Sequence, residues 1–160
     1  MRPAELIVGD RTYLLRDAEE RDVPTIAVLL ADDPIGATRE GAHDLAPYLD
    51  AFRAVDADPA HLLLVAESDG AVVATLQLSL LPGLSRRGTL RGQIEGVRVA
   101  AAHRGRALGG QLVRFAIDEA RARGAGLVQL TTDLRRDDAI RFYGRLGFEH
   151  SHAGLKRPLV

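Results

Sequence analysis

The residues best suited to chemistry lie in one short run, Arg104-Gly105-Arg106-Ala107-Leu108-Gly109-Gly110. It joins an apolar stretch carrying Ile94, Val97 and Val99 to the start of a strongly helical pattern. A strand that turns through glycines into a helix N-terminus presents backbone N–H groups with no intrahelical acceptor, at the positive end of the helix dipole. Such a turn holds an anionic phosphate, and small residues let the ligand come close to the backbone. The spacing predicts a site for a phosphate-bearing cofactor. Two common loops of this kind do not fit. A Walker loop needs Lys and then Ser or Thr after its last glycine, where this chain has Gln111. A dinucleotide fingerprint needs G-x-G-x-x-G, which Gly105, Gly109 and Gly110 do not give.

Periodicity and turn residues predict the elements around that run. Residues 1–10 read as a loosely held leader, 12–16 as a strand, and 22–30 as a helix with Pro24 in its first turn, where a missing N–H costs little. The Pro- and Gly-punctuated stretch 32–41 reads as a loop. Asp44 is the expected cap of a helix over 45–56, with Leu45, Tyr48, Leu49, Phe52 and Val55 on one stripe. Strands follow at 61–67 and 71–81, joined by the hairpin signal Asp69-Gly70. A basic loop at 84–91 leads into the strand 91–99. The helix after the glycine turn covers 108–123 and stops at Gly124. Strand 127–132 then lies parallel to 91–99 through a right-handed crossover. A last helix at 136–146 ends at Gly147, ahead of a closing strand pair at 148–152 and 155–159. The expected fold class is mixed α/β (α+β), a central mixed sheet flanked by about four helices, in one domain over 1–160 with its core at about 12–159.

Composition narrows the function. The chain has 160 residues, 46% of them hydrophobic, enough for a sizeable core. Its 21 basic and 22 acidic side chains lack the basic excess of a dedicated nucleic-acid binder. It has no cysteine, hence no disulfide, thiolate metal site or cysteine nucleophile. The N-terminus lacks the apolar run of a signal peptide, and no stretch approaches the length of a membrane span. A cytoplasmic protein with no membrane partner is the expectation.

The loop fits a third pattern, Arg/Gln-x-x-Gly/Ala-x-Gly/Ala, the diphosphate loop of an acyl-CoA binder, as Arg104 to Gly109. The run Ala139-Ile140-Arg141-Phe142-Tyr143-Gly144-Arg145-Leu146-Gly147-Phe148 fits A-x-x-(F/L)-Y-x-x-x-G-F. With the order of elements, these motifs make the chain resemble the GNAT (Gcn5-related N-acetyltransferase) family from residue 12 to 159. The resemblance implies a GNAT-like acyl-CoA N-acyltransferase fold and an acetyl-CoA-dependent N-acetyltransferase. The implied acceptor is a primary amine of a small molecule or peptide, expected to attack directly in a ternary complex because no cysteine is available to carry an acyl group. Two alternatives stay open: another acyl-CoA donor, and a non-catalytic acyl-CoA sensor or interaction module. Sheet-edge pairing into a homodimer is compatible with such a domain.

The resemblance also distributes roles. The diphosphate is expected on backbone amides of Arg104, Gly105, Arg106, Ala107, Leu108, Gly109 and Gly110, and the pantetheine arm along Val97, Arg98 and Val99. An N–H of Val97 or Arg98 would polarise the thioester carbonyl. Tyr143 matches the general acid that protonates the departing thiolate, while Phe142 reads as a packed aromatic. Arg136 stands where the family often has Asn, so Asp133 or Arg136 itself is the expected substitute. Ala107 replaces a usual Gly, with little loss expected. Glu95, placed on the face of Val97 by strand alternation, either takes a proton from the amine, binds a cationic substrate, or pairs with Arg98 or Arg91. His103 reads as a solvent-facing loop residue, and His150 and His152 lack a third ligand, so no metal is expected. The region 32–52 carries Asp32, Asp33, Glu40 and Asp44, which suits a cationic acceptor. The run Ser85-Arg86-Arg87-Gly88 is either a solvated surface or a seat for an anionic acceptor group.

Overall fold

The computed structural model describes residues 3–32, 36–38, 40–41 and 43–159. Its strands are β1 (Ala4–Val8), β2 (Arg11–Asp17), β3 (His61–Ser68), β4 (Ala71–Leu81), β5 (Arg91–Val99) and β6 (Leu127–Leu130). They form one sheet in chain order, antiparallel throughout except for the parallel pair β5–β6. The helices are α1 (Val23–Ala31), α2 (Ala46–Asp56), the four-residue turn α3 (Ser85–Gly88), α4 (Leu108–Ala122) and α5 (Asp137–Arg145).

Strand alternation separates two cores. Leu64 and Ala66 of β3 join the main core with Leu112, Val113, Ala116 and Ala120 of α4, while Val65 between them packs with Val23, Ile26 and Phe52 of α1 and α2. The first two helices therefore cover one face and α4 the other. At β5 the α4 face is crowded. A Cβ on Gly92 would stand 3.1 Å from Ala120 Cβ and 3.3 Å from both Leu78 Cδ1 and Val128 Cγ2, so the helix approaches the strand through the space a side chain would take.

Five expectations change. Residues 4–8 of the presumed leader form β1, because Gly9 adopts φ +64° and turns the chain back onto β2, pairing Val8 with Arg11. The expected closing pair at 148–152 and 155–159 is not strand. Leu155 and Leu159 are exposed and the residues between them are Lys156, Arg157 and Pro158, so the segment has no apolar face to bury. The basic loop at 84–91 contains the turn α3, in which Arg86 and Arg87 are left-handed at φ 52° and 60°. The N-cap of α2 is Leu45, although Asp44 Oδ1 accepts the Ala46 amide at 3.1 Å. Glu19 closes a capping box with Asp22 on the short turn Glu20–Asp22, which delays α1 to Val23.

Candidate active site

The glycine turn lies at the C-terminal end of β5 and runs directly into α4. Gly105 (φ +72°) and Ala107 (φ +63°, ψ 0°) both take left-handed geometry, and Ala107 is the N-cap of α4 with no side-chain cap bond. Gln111 is the first residue bonded back along the helix, to Ala107 O at 3.1 Å. The amides of Leu108, Gly109 and Gly110 thus have no intrahelical acceptor. Leu108 is buried and anchors the turn. Alternating left-handed residues before an uncapped helix form a concave set of N–H groups, an anion nest. The expectation for Ala107 needs correction. The position is left-handed rather than helical, and a Cβ there costs about 1 kcal/mol against glycine.

The two loop arginines behave differently. Arg106 is exposed. Arg104 instead reaches back: its Nε donates to Val99 O at 2.8 Å, and Nη2 donates to Asp32 O at 2.8 Å and Asp32 Oδ2 at 2.7 Å. It ties the glycine turn to the C-cap of α1. Asp32 is therefore occupied by this bond, and Asp33 lies outside the described residues. His103 is not a solvent-facing loop residue. Its Nδ1 shares a 3.1 Å hydrogen bond with the hydroxyl of the buried Tyr13, and the rings meet edge-on at 5.7 Å. A buried phenol needs a polar partner, and His103 supplies one from the turn just before Arg104.

β6 pairs with β5 only from Arg91↔Leu127 to Ile94↔Leu130, and β5 continues to Val99. The two strands diverge beyond Ile94. At that point β5 carries a bulge: Glu95 stands opposite Gln77 and Arg98 opposite Thr75, so Gly96 and Val97 together face a single residue of β4. Gly96 takes φ +61°, and a Cβ on it would point at Leu30 of α1, 3.7 Å away. Val97 and Val99 pack on the main core. Glu95, opposite Gln77, looks to the α1 face and is exposed. The extra residue breaks the alternation that puts Glu95 and Val97 on one face, and they lie on opposite faces. Arg98 Nη1 donates to Val97 O at 2.9 Å.

The second motif is carried by α5, which packs over the first. Phe142 Cζ would lie 3.7 Å from a Cβ on Gly109, and Phe142 Cε2 4.0 Å from one on Gly110. The Phe142 ring thus lies over the first turn of α4, at ordinary van der Waals range from both glycines. Tyr143 meets Phe142 and Phe148 edge-on, at 5.0 and 5.8 Å. Burial raises the Tyr143 pKa, opposed by the positive charges of Arg98 and Arg136, so the phenol keeps its proton at neutral pH. Arg136 is the N-cap of α5, two turns ahead of Tyr143 on the same side. Asp133 is occupied locally: Arg135 donates to it through Nε at 2.9 Å, Nη2 at 2.8 Å and its backbone amide at 3.0 Å. Those bonds hold the Asp133 carboxyl well below the usual carboxylate range. From α2, Tyr48 OH donates to Glu40 Oε2 at 2.8 Å and accepts the Gly41 amide at 3.0 Å, both in the preceding loop. Among the described residues no group of three or more His, Cys, Asp or Glu is arranged to hold a metal, and no helix is long and apolar enough to cross a membrane.

The profile of the acetyltransferase (GNAT) family matches residues 14–148, which span both motifs and strands β3 to β6. The chain belongs to the GNAT family. An aminoalkylphosphonate N-acetyltransferase from Salmonella typhimurium is 32% identical over 145 residues, 91% of this chain and 90% of that one. The crystal structure of a transcriptional regulator from Bacillus halodurans C-125 superposes with a TM-score of 0.87 at 42% identity, covering 91% of this chain and 98% of the other. A predicted acetyltransferase from Clostridium acetobutylicum, solved with acetyl-CoA, shares the fold at a TM-score of 0.73 and 17% identity, covering 92% and 96%. The GNAT match ends at Phe148, where the regular structure of this chain has also ended.

Proposed function

We propose that this acetyltransferase moves the acetyl group of acetyl-CoA to a primary amine by direct attack in a ternary complex. The observation that carries the reading is the uncapped start of α4, with a protonated phenol set beside it by the Phe142 contact. Acetyl-CoA supplies the activated thioester. The amides around Gly105 to Gly110 receive the diphosphate. An amide at the bulge, of Val97 or Arg98, donates to the thioester carbonyl as negative charge builds there. Glu95 takes a proton from the ammonium form of the acceptor, directly or through a water. Tyr143 donates its proton to the leaving sulfur. The engagement of Asp133 by Arg135 favours Arg136 as the residue facing the cofactor where the family often has Asn.

An aminoalkylphosphonate is the first acceptor to try, on the strength of the 32% identical relative. The measurement is thiol release from acetyl-CoA over a panel of amines. Release that depends on the amine supports the reading. The regulator at 42% identity favours a second one, an acyl-CoA sensor without turnover. Tight CoA binding with no release over any amine selects that alternative.

A further inference from the structure

β5 runs on past Ile94, the last residue that β6 covers, and the edge it leaves open is not bare. The Ala100 amide donates to Val73 O at 2.8 Å, toward β4. A trans peptide sets its C=O and N–H in opposite directions, so the Val99 carbonyl, in the same peptide unit, points away from β4. Pairing with β4 is regular at Arg98 and Val99, and strand carbonyls two residues apart share a side, so Val97 O points the same way. Both carbonyls therefore look into the gap left where β6 stops. Arginines close by in the chain take both of them. Arg98 Nη1 donates to Val97 O at 2.9 Å, and Arg104 Nε donates to Val99 O at 2.8 Å.

Unpaired carbonyls on an open strand edge invite pairing by another extended chain, and a cation held over them discourages it. Each arginine here satisfies a backbone acceptor and puts positive charge on the edge. An extended ligand with amides of its own can pair with these carbonyls only by displacing a guanidinium for each N–H it brings. Arg104 opens the glycine turn and is exposed. A diphosphate on the amides of that turn offers the freed guanidinium a charge-assisted bond in place of the neutral one it gives up.

We propose that Arg98 and Arg104 are displaceable guards on the open edge of β5, which make it selective for an amide-bearing arm that carries a diphosphate. Acyl-CoA has both parts, whereas a bare pantetheine thioester has the arm alone. The arm takes over Val97 O and Val99 O, and the diphosphate compensates Arg104 for the bond it loses. This rests on the acyl-CoA reading above and adds to it a cost that only the full cofactor offsets.

Calorimetric titrations of CoA and of pantetheine into the wild type, Arg98→Met and Arg104→Met test it. Methionine keeps an apolar stem and removes the donors. Both variants should bind pantetheine more tightly than the wild type, by about threefold, the scale of one net hydrogen bond. Arg104→Met should at the same time bind CoA more weakly, so that its preference for CoA over pantetheine contracts by about tenfold. An arginine that only props up the fold gives the opposite sign with pantetheine. Unchanged or weaker pantetheine binding in either variant overturns the proposal. A crystal structure of the wild type with CoA reads the same point without any variant: ligand amides on Val97 O and Val99 O support it, and an arginine still on either carbonyl overturns it. If the wild type binds neither CoA nor pantetheine, the acyl-CoA reading fails by itself. Ligand-free protein then tests the guards: faster thioflavin-positive aggregation of the double variant than of the wild type supports them, and equal rates overturn them.

Discussion

Two arginines bridge distant parts of this chain, and they do so in opposite ways. Arg16 on β2 grips Asp22 with both Nη atoms, Nη1 to Oδ2 at 2.6 Å and Nη2 to Oδ1 at 3.0 Å, and also reaches Glu67 on β3 and the Asp17 carbonyl. The Arg16 and Asp22 side chains are 11% and 6% exposed. Arg104 and Asp32, at the mouth of the diverging strands, are 47% and 45% exposed. The first cluster is desolvated and nearly fully partnered, so removing one member strands the others in a dry interior. The second keeps much of its hydration and costs little to rearrange. The β2–β3 end of the strand order is locked, and the β5–β6 end, where the proposed function puts the ligand, is held by an exchangeable tie.

Breaking the locked end gives the largest expected effect. Arg16→Met leaves the buried Asp22 and the half-buried Glu67 without their cation, and urea unfolding should show a loss of about 3 kcal/mol. Acid sharpens the same point. Burial raises the Asp22 carboxyl pKa, but the bonds from Arg16 and the Glu19 amide outweigh it and leave the carboxyl below its usual value. Its stabilising contribution is complete above the ordinary carboxyl pKa of about 3.9 and lost as pH falls through the lower folded value. The stability of the wild type should therefore drop more steeply below about pH 4 than that of Arg16→Met.

At the ligand end the effects should fall on rate before stability. Tyr143→Phe is expected to lower turnover by about 100-fold with CoA affinity nearly intact, the scale of one general acid. Unchanged turnover would take the acid role from Tyr143. Ala107→Gly should raise stability by roughly 0.5–1 kcal/mol, because glycine enters the left-handed position without penalty. A fall in melting temperature would show that the turn is not strained. Arg104→Gln gives the smallest change, within about 1 kcal/mol in unfolding. A loss on the scale of Arg16→Met would erase the contrast between the two ends.

The parts legible in the sequence were those set by local chemistry. Asp69-Gly70 fixed the hairpin because both residues tolerate positive φ, at 53° and 78°, and the return strand begins at Ala71 as expected. β5 matches its expected bounds, and α4 starts at Leu108 where the glycines end. What escaped depends on partners far along the chain. Arg104 is 72 residues from Asp32, and His103 is 90 from Tyr13, so neither bond has a local signature. The bulge at Gly96 arises from register against β4, which alternation within one strand does not contain. β1 escaped for a simpler reason: its arm, Ala4–Val8, is only five residues long, and it closes on β2 through the positive φ of Gly9.

The missing side chain at Gly92 has a reach beyond its own neighbourhood. It sets how far the distal part of α4, at Ala120, stands from the sheet. The amides of Leu108 to Gly110 sit on the same rigid rod, about 18 Å along its axis. A methyl group added at Gly92 would press on that rod at Ala120 and ask it to give by a few tenths of an ångström. Under the proposed function, the alignment of the cofactor answers to the far side of the crossover, through a residue that touches no ligand.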